Sequence, residues 1–221
     1  MGRQCCCCVD LGGSVWQTRR LIEVFRRDGY DVVALDFSKE VLTRGDSDLL
    51  LQLVDEVVAC AMDELQKRAA TPLLVGISLG ALMSLNVLRR VEEYRWAVMI
   101  TGGDIVKVAH RAVGRNVWPQ GYDTLAERWE DVNMYSDPDL LRGKRILFVL
   151  PINDRLVDTD DVLSEVDRQK RAGNMIECII RDRFGHIGTI IEETVLFPKR
   201  ARQYVALLER MTVNEVDQKL K

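Results

Sequence analysis

Six short apolar runs, Cys5–Val9, Asp31–Phe37, Pro72–Ile77, Trp96–Thr101, Arg145–Leu150 and Met175–Ile180, alternate along this chain with longer amphipathic segments. Several of the runs are apolar throughout, which suits strands covered on both faces rather than strands with one wet side. The segments between them have the length of crossover helices: Thr18–Asp28, Asp48–Arg68, Leu79–Glu93, Asp160–Ala172 and Thr189–Met211. Gly29 and Gly173 stand where a helix end favours a left-handed residue, and Asp46, Ser47 and Thr159 can cap helix starts. The alternation predicts βαβ units, and hence an α/β fold with a mainly parallel sheet of about six strands and helices on both faces.

The chain's 221 residues, 47% of them hydrophobic, are enough for one globular domain with a substantial core, spanning 1–221. The rhythm breaks only between Gly102 and Gly143. That stretch carries Trp118, Tyr122, Trp129, Tyr135, Pro119 and Pro138 and reads as a small, partly helical insertion, 103–143, able to cap a pocket while packing its aromatics onto the core.

Charge excludes some partners. With 31 Lys and Arg against 34 Asp and Glu, the net charge of −3 leaves no basic field to attract nucleic acid or an anionic membrane. The start lacks the apolar core of a secretory signal, and Gly2 lacks the Ser or Thr at position 6 that favours myristoylation. Ala69–Leu88 is free of charge, but Pro72, Gly76, Ser78, Gly80, Ser84 and Asn86 interrupt it, so a strand followed by a helix explains it better than a membrane span. Four of the six cysteines are consecutive, Cys5–Cys8, and point alternately to opposite faces of a strand. They read as small apolar residues in a reducing compartment, the cytoplasm, and not as a disulfide framework or metal site. With two distant histidines and no paired cysteines, no metal or other cofactor is expected.

The strongest local signal for chemistry is Gly76-Ile77-Ser78-Leu79-Gly80, lying directly between an apolar run and an amphipathic segment. A serine at a sharp strand-to-helix turn is held in a strained conformation with its hydroxyl exposed, and glycines on both sides let the backbone cross closely. Such a hydroxyl needs a base within hydrogen-bond reach and an anion to orient that base. His186 follows the last apolar run, in Arg183-Phe184-Gly185-His186, whereas His110 lies within a helix-like run, Ile105–Val113, and reads as solvated surface. Asp154 stands first past the end of Arg145–Leu150, with Asp104 in reserve. Asp158, Asp160 and Asp161 read as the acidic approach to a helix N-terminus.

In the elbow Gly76–Gly80, the Asn153-Asp154-Arg155-Leu156-Val157 segment, the Gly185-His186 pair and the order Ser, Asp, His, the chain resembles the α/β-hydrolase superfamily, specifically its small esterase-like members. The resemblance spans nearly the whole chain and implies the three-layer α/β-hydrolase fold. It implies Ser78 as nucleophile, His186 as general base and then acid, and Asp154 as orienting carboxylate. The Leu79 amide, at the start of the elbow helix, would supply one oxyanion donor and Leu11 or Gly12 the second. The chain departs from the family where His-Gly usually opens the first loop, because Asp10 stands there. It also begins almost at the third strand of the usual eight. The implied activity is hydrolysis of a carboxylic ester or thioester of a small to medium acyl substrate through an acyl-enzyme. A catalytically silent binding protein of the same fold, and an acyltransferase or thioesterase acting on carrier-bound acyl groups, remain open. No stable membrane anchor is implied.

Overall fold

A computed structural model describes residues 5–11, 15–37, 40–67, 72–113, 117–118, 121–133 and 137–211. Six strands, β1 (Cys5–Leu11), β2 (Asp31–Phe37), β3 (Pro72–Ile77), β4 (Trp96–Ile100), β5 (Arg145–Pro151) and β6 (Met175–Arg181), form one sheet in the order β2-β1-β3-β4-β5-β6. Every neighbouring pair is parallel. Parallel neighbours require crossovers, and the helices α1 (Val15–Arg27), α3 (Ser47–Gln66), α4 (Leu79–Arg90) and α7 (Thr159–Arg171) supply them. The short α2 (Glu40–Thr43) precedes α3. Helices α5 (Ile105–Val113) and α6 (Tyr122–Arg128) lie in the segment between β4 and β5, and α8 (His186–Ile191) and α9 (Ala201–Arg210) follow β6.

The strands divide their side chains between two cores because successive residues point to opposite faces. On β5, Ile146, Phe148 and Leu150 pack with α3, α4 and α7. Leu147 and Val149 face the other way, into a layer built with α1 and α9. The same split sends Leu74 to the first core and Leu73, Val75 and Ile77 to the second. The result is three layers, helices on both sides of a parallel sheet. Helix α4 is wedged deepest, with every residue from Leu79 to Leu88 buried.

The caps follow the sequence chemistry. Asp46 accepts the Asp48 amide at the start of α3, and Asp158 caps α7 by accepting the Asp161 amide. Gly29 and Gly173 take φ values of 91° and 87° at the ends of α1 and α7. Thr159, one residue inside α7, donates its hydroxyl to the Pro151 carbonyl instead of capping. Ala69–Leu88, where described, is a strand followed by a helix, and no helix among the described residues is long and apolar enough to cross a membrane.

Two sequence expectations need correction. The expected final helix, Thr189–Met211, is broken: α8 runs on into a π turn, Glu192–Leu196, and a 3-10 turn at Pro198–Arg200 precedes α9. Pro198 has no amide to continue the helix, and the buried carboxylates of Glu192 and Glu193 are drawn to Arg200, at 2.9 and 3.0 Å. His110, read as surface, is half-buried, with Nε2 covered. Between β4 and β5, Trp118 and Trp129 are fully buried and meet edge to face, 5.1 Å between ring centroids. Tyr135 and Pro119, like Gly12 and the side chains of Cys5–Cys8 and Asp10, lie outside what is described.

Candidate active site

Ser78 occupies the turn between β3 and α4 with φ 54° and ψ −117°, a region that a residue with a Cβ adopts only under constraint. Its surroundings supply that constraint. The Ser78 amide donates to the Ile100 carbonyl of β4 at 2.8 Å, and the Ser78 carbonyl accepts the Ala81 amide at 3.0 Å. The chain can turn this sharply only because Gly76 has no side chain: a Cβ there would lie 2.4 Å from the Gly80 carbonyl oxygen and 2.6 Å from the Ala81 Cα.

Asp154 sits in the loop after β5. Its Oδ1 accepts the amides of Leu156 and Val157 at 2.8 and 3.0 Å, a local turn that aims Oδ2 away from the loop. His186 opens α8 after Gly185 and is buried. Its loop packs against that of Asp154, since a Cβ on Gly185 would stand 3.0 Å from the Asn153 carbonyl oxygen. His186 Nδ1 lies 2.8 Å from Asp154 Oδ2, and its Nε2 lies 3.0 Å from Ser78 Oγ.

The electrostatics assign the protons along this chain of contacts. Burial pushes the Asp154 carboxyl up, but the hydrogen bonds from His186 and from the amides of Val157 and Leu156 outweigh it and hold the pKa below the ordinary carboxylate value. An ionised carboxylate only accepts, so Nδ1 carries the proton and donates it to Asp154. In a neutral imidazole this leaves Nε2 as acceptor for the Ser78 hydroxyl. The arrangement can take a proton from a serine oxygen as that oxygen attacks an electrophile.

The other candidates separate clearly. Asp104 accepts the amides of Val106 and Lys107 at the start of α5, at 2.8 and 3.1 Å, and accepts the Tyr122 hydroxyl at 3.0 Å. It is a capping residue rather than a partner of His186. Burial and Asp104 together raise the Tyr122 phenol to about 12, so it stays a donor at neutral pH. The Leu79 amide is the first of α4, outside the helix's own hydrogen-bond ladder. Leu11 ends β1, two residues past the Val9–Gly76 pairing, and Ser78 likewise lies two residues past Gly76, so the two backbones end level with each other. Among the described residues, no group of three His, Cys, Asp or Glu could hold a metal ion.

Sequence reasoning missed the contribution of β4. Thr101, buried at 1% exposure, also has a positive φ, 56°, and its amide donates to the Val149 carbonyl at 2.9 Å. Gly102 follows, where a Cβ would meet that of Ala81 at 2.6 Å, and a Cβ on Gly103 would meet Val157 at the same distance. The Gly102-Gly103 pair was the available signal, since adjacent glycines after a strand mark close backbone approach. A β-branched residue at positive φ leaves none.

No protein-family model matches the chain, and neither does any curated protein. Solved structures do. An esterase from Pyrococcus furiosus, Pf2001, superposes with a TM-score of 0.63 at 16% identity, covering 95% of this chain and 81% of that one. The protein TT1662 from Thermus thermophilus gives a TM-score of 0.68 at 15% identity, covering 95% of this chain and 90% of that one. An acylaminoacyl peptidase from Pyrococcus horikoshii gives 0.70 at 14% identity, but 96% of this chain corresponds to only 38% of that larger protein. The chain has the α/β-hydrolase fold.

Proposed function

We propose that this protein is a serine hydrolase that cleaves a carboxylic ester or thioester, with Ser78 as nucleophile, His186 as general base and acid, and Asp154 as the orienting carboxylate. One observation carries the reading: Ser78 Oγ and Asp154 Oδ2 lie 3.0 and 2.8 Å from opposite nitrogens of one buried imidazole. Esterases among the structural neighbours are consistent with it.

In this scheme Ser78 Oγ attacks the carbonyl carbon as its proton passes to Nε2. Asp154 stabilises the imidazolium so formed. The carbonyl oxygen becomes an oxyanion held by the Leu79 amide, and the amide of Leu11 or Gly12 would be the second donor. Collapse expels the alcohol or thiol as it takes the proton back from Nε2, leaving an acyl-enzyme. Water, deprotonated by the same nitrogen, then releases the acid. The segment 103–143 serves as a cap in this reading. It leaves the sheet beside the site and is tied to the start of α7 through Lys107–Asp161 and Arg111–Asp158, the latter at 3.1 Å.

The test is p-nitrophenyl ester hydrolysis together with fluorophosphonate labelling, for the wild type and Ser78→Ala. The expected outcome is labelling confined to Ser78, at least a thousandfold loss of turnover in the variant, and a preference for short to medium acyl chains. A folded wild-type protein with neither labelling nor turnover would favour a silent binding protein. The Asp10 carboxyl-bearing residue, near the end of the strand that supplies the second oxyanion donor, is the feature favouring that alternative.

A further inference from the structure

A second concave site lies along α8 from the first. Beyond its last turn, the π turn and the 3-10 turn face the outer side of α1 across a cleft of about 520 Å³, within the range of small-molecule sites, about 300–1,000 Å³. The proposed chemistry makes no use of this cleft.

Its floor is apolar and its rim is cationic. Val24 is buried beneath it, while Leu196 and Phe197 line it and remain 54% and 42% exposed, with no element of the fold covering them among the described residues. Arg20 and Arg27 reach it from one face of α1, being two turns apart, and Lys199 reaches it from the opposite wall. One carboxylate, Glu23, also lines the cleft, and it is shared between Arg19 and Arg27, so the three cations outnumber it. Arg20 donates to the Val195 carbonyl at 3.1 Å, Lys199 meets no carboxylate among the described residues, and Arg27 lies 3.9 Å from a Glu23 that Arg19 already holds at 3.2 Å. Arg200 is different. The buried Glu192 and Glu193 neutralise it and it stacks on the Phe197 ring at 4.4 Å, so it builds the wall instead of adding to the surplus.

A local positive surplus over exposed apolar side chains, on a chain whose net charge is −3, has one complementary ligand chemistry. We propose that this cleft binds an amphiphilic anion: a phosphate or carboxylate head held by Arg20, Arg27 and Lys199, with an alkyl or aryl body against Leu196 and Phe197. The concavity favours a single molecule in monomeric form over the face of a bilayer.

Isothermal titration calorimetry with octyl phosphate, inorganic phosphate and octyl glucoside, alongside sedimentation with phosphatidic acid vesicles, tests this. Octyl phosphate is expected to bind at least tenfold more tightly than either the phosphate or the glucoside. Binding should weaken at least tenfold in Arg27→Glu/Lys199→Glu and also in Leu196→Asp. These side chains are exposed, circular dichroism verifies each fold, and either variant suffices if the other fails to fold. Equal binding of all three small molecules, undiminished binding in a folded variant, or association with vesicles alone would overturn the proposal. The titration reads no turnover, so its failure is distinct from any failure of the hydrolase reading.

Discussion

Ser78, the proposed nucleophile, sits in a strained backbone conformation. With φ at 54° it holds a conformation that costs about 1–3 kcal/mol for a residue with a Cβ, and the hydrogen bonds to Ile100 and Ala81 keep it there. Removing the hydroxyl should therefore leave the strain, whereas removing the Cβ should release it. We expect Ser78→Gly to be more stable than Ser78→Ala by about 1 kcal/mol in urea unfolding, after the entropic cost of glycine, with both inactive toward esters. Equal stability would mean that the elbow is relaxed. At this scale the sequence was informative wherever a residue's role depends on near neighbours. Gly76, Ser78 and Gly80 lie within one turn of chain, and Asp154 makes its own turn with Leu156 and Val157. Thr101 was illegible because a threonine after an apolar run predicts a continued strand, whereas its positive φ accompanies tertiary contacts, the amide hydrogen bond to Val149 and the close approach of Gly102 to Ala81.

The strands were legible almost residue for residue, because an apolar run covered on both faces leaves a continuous signal. Helix α5 coincides with its expected run, Ile105–Val113. The region after α8 was not legible. Its apolar spacing is helical throughout, and what interrupts it is a buried pairing of Glu192 and Glu193 with Arg200 and Arg181, the last from another element, β6. Lys144 is a similar case. It stands in a basic stretch, Arg142-Gly143-Lys144-Arg145, on which the sequence carried no signal of burial, yet it is 7% exposed and donates to the carbonyls of Val91, Glu92 and Tyr94 at 3.2, 3.0 and 2.8 Å. Those carbonyls lie between the end of α4 and the start of β4, so one ammonium joins three elements. Replacing it with methionine would strand the three acceptors, and we expect Lys144→Met to lower unfolding free energy by about 3 kcal/mol, read as a fall in urea midpoint at unchanged slope. A loss below about 1 kcal/mol would mean that water replaces the ammonium.

Across the whole molecule, Asp154 links the site to stability. Its folded-state pKa is depressed, so its ionised form favours folding. That contribution is complete above the unfolded carboxylate value, near 3.9, and is lost as pH falls through the lower folded value. The gap in unfolding free energy between the wild type and Asp154→Asn should therefore narrow as pH falls below the unfolded carboxylate value, near 3.9. A gap that widened there would contradict the depressed pKa. Periodicity along the chain and the Gly76–Gly80 motif, which depend only on residues a few positions apart, determined the strands, most of the helices, their βα alternation and the turn at Ser78. They carried no record of which strands become neighbours. The order β2-β1-β3-β4-β5-β6, the cationic cleft against α1, and the meeting of Ser78 with a histidine 108 positions away were decided only when two helical layers closed on the sheet, since burial of whole faces, and not local preference, sets those distances.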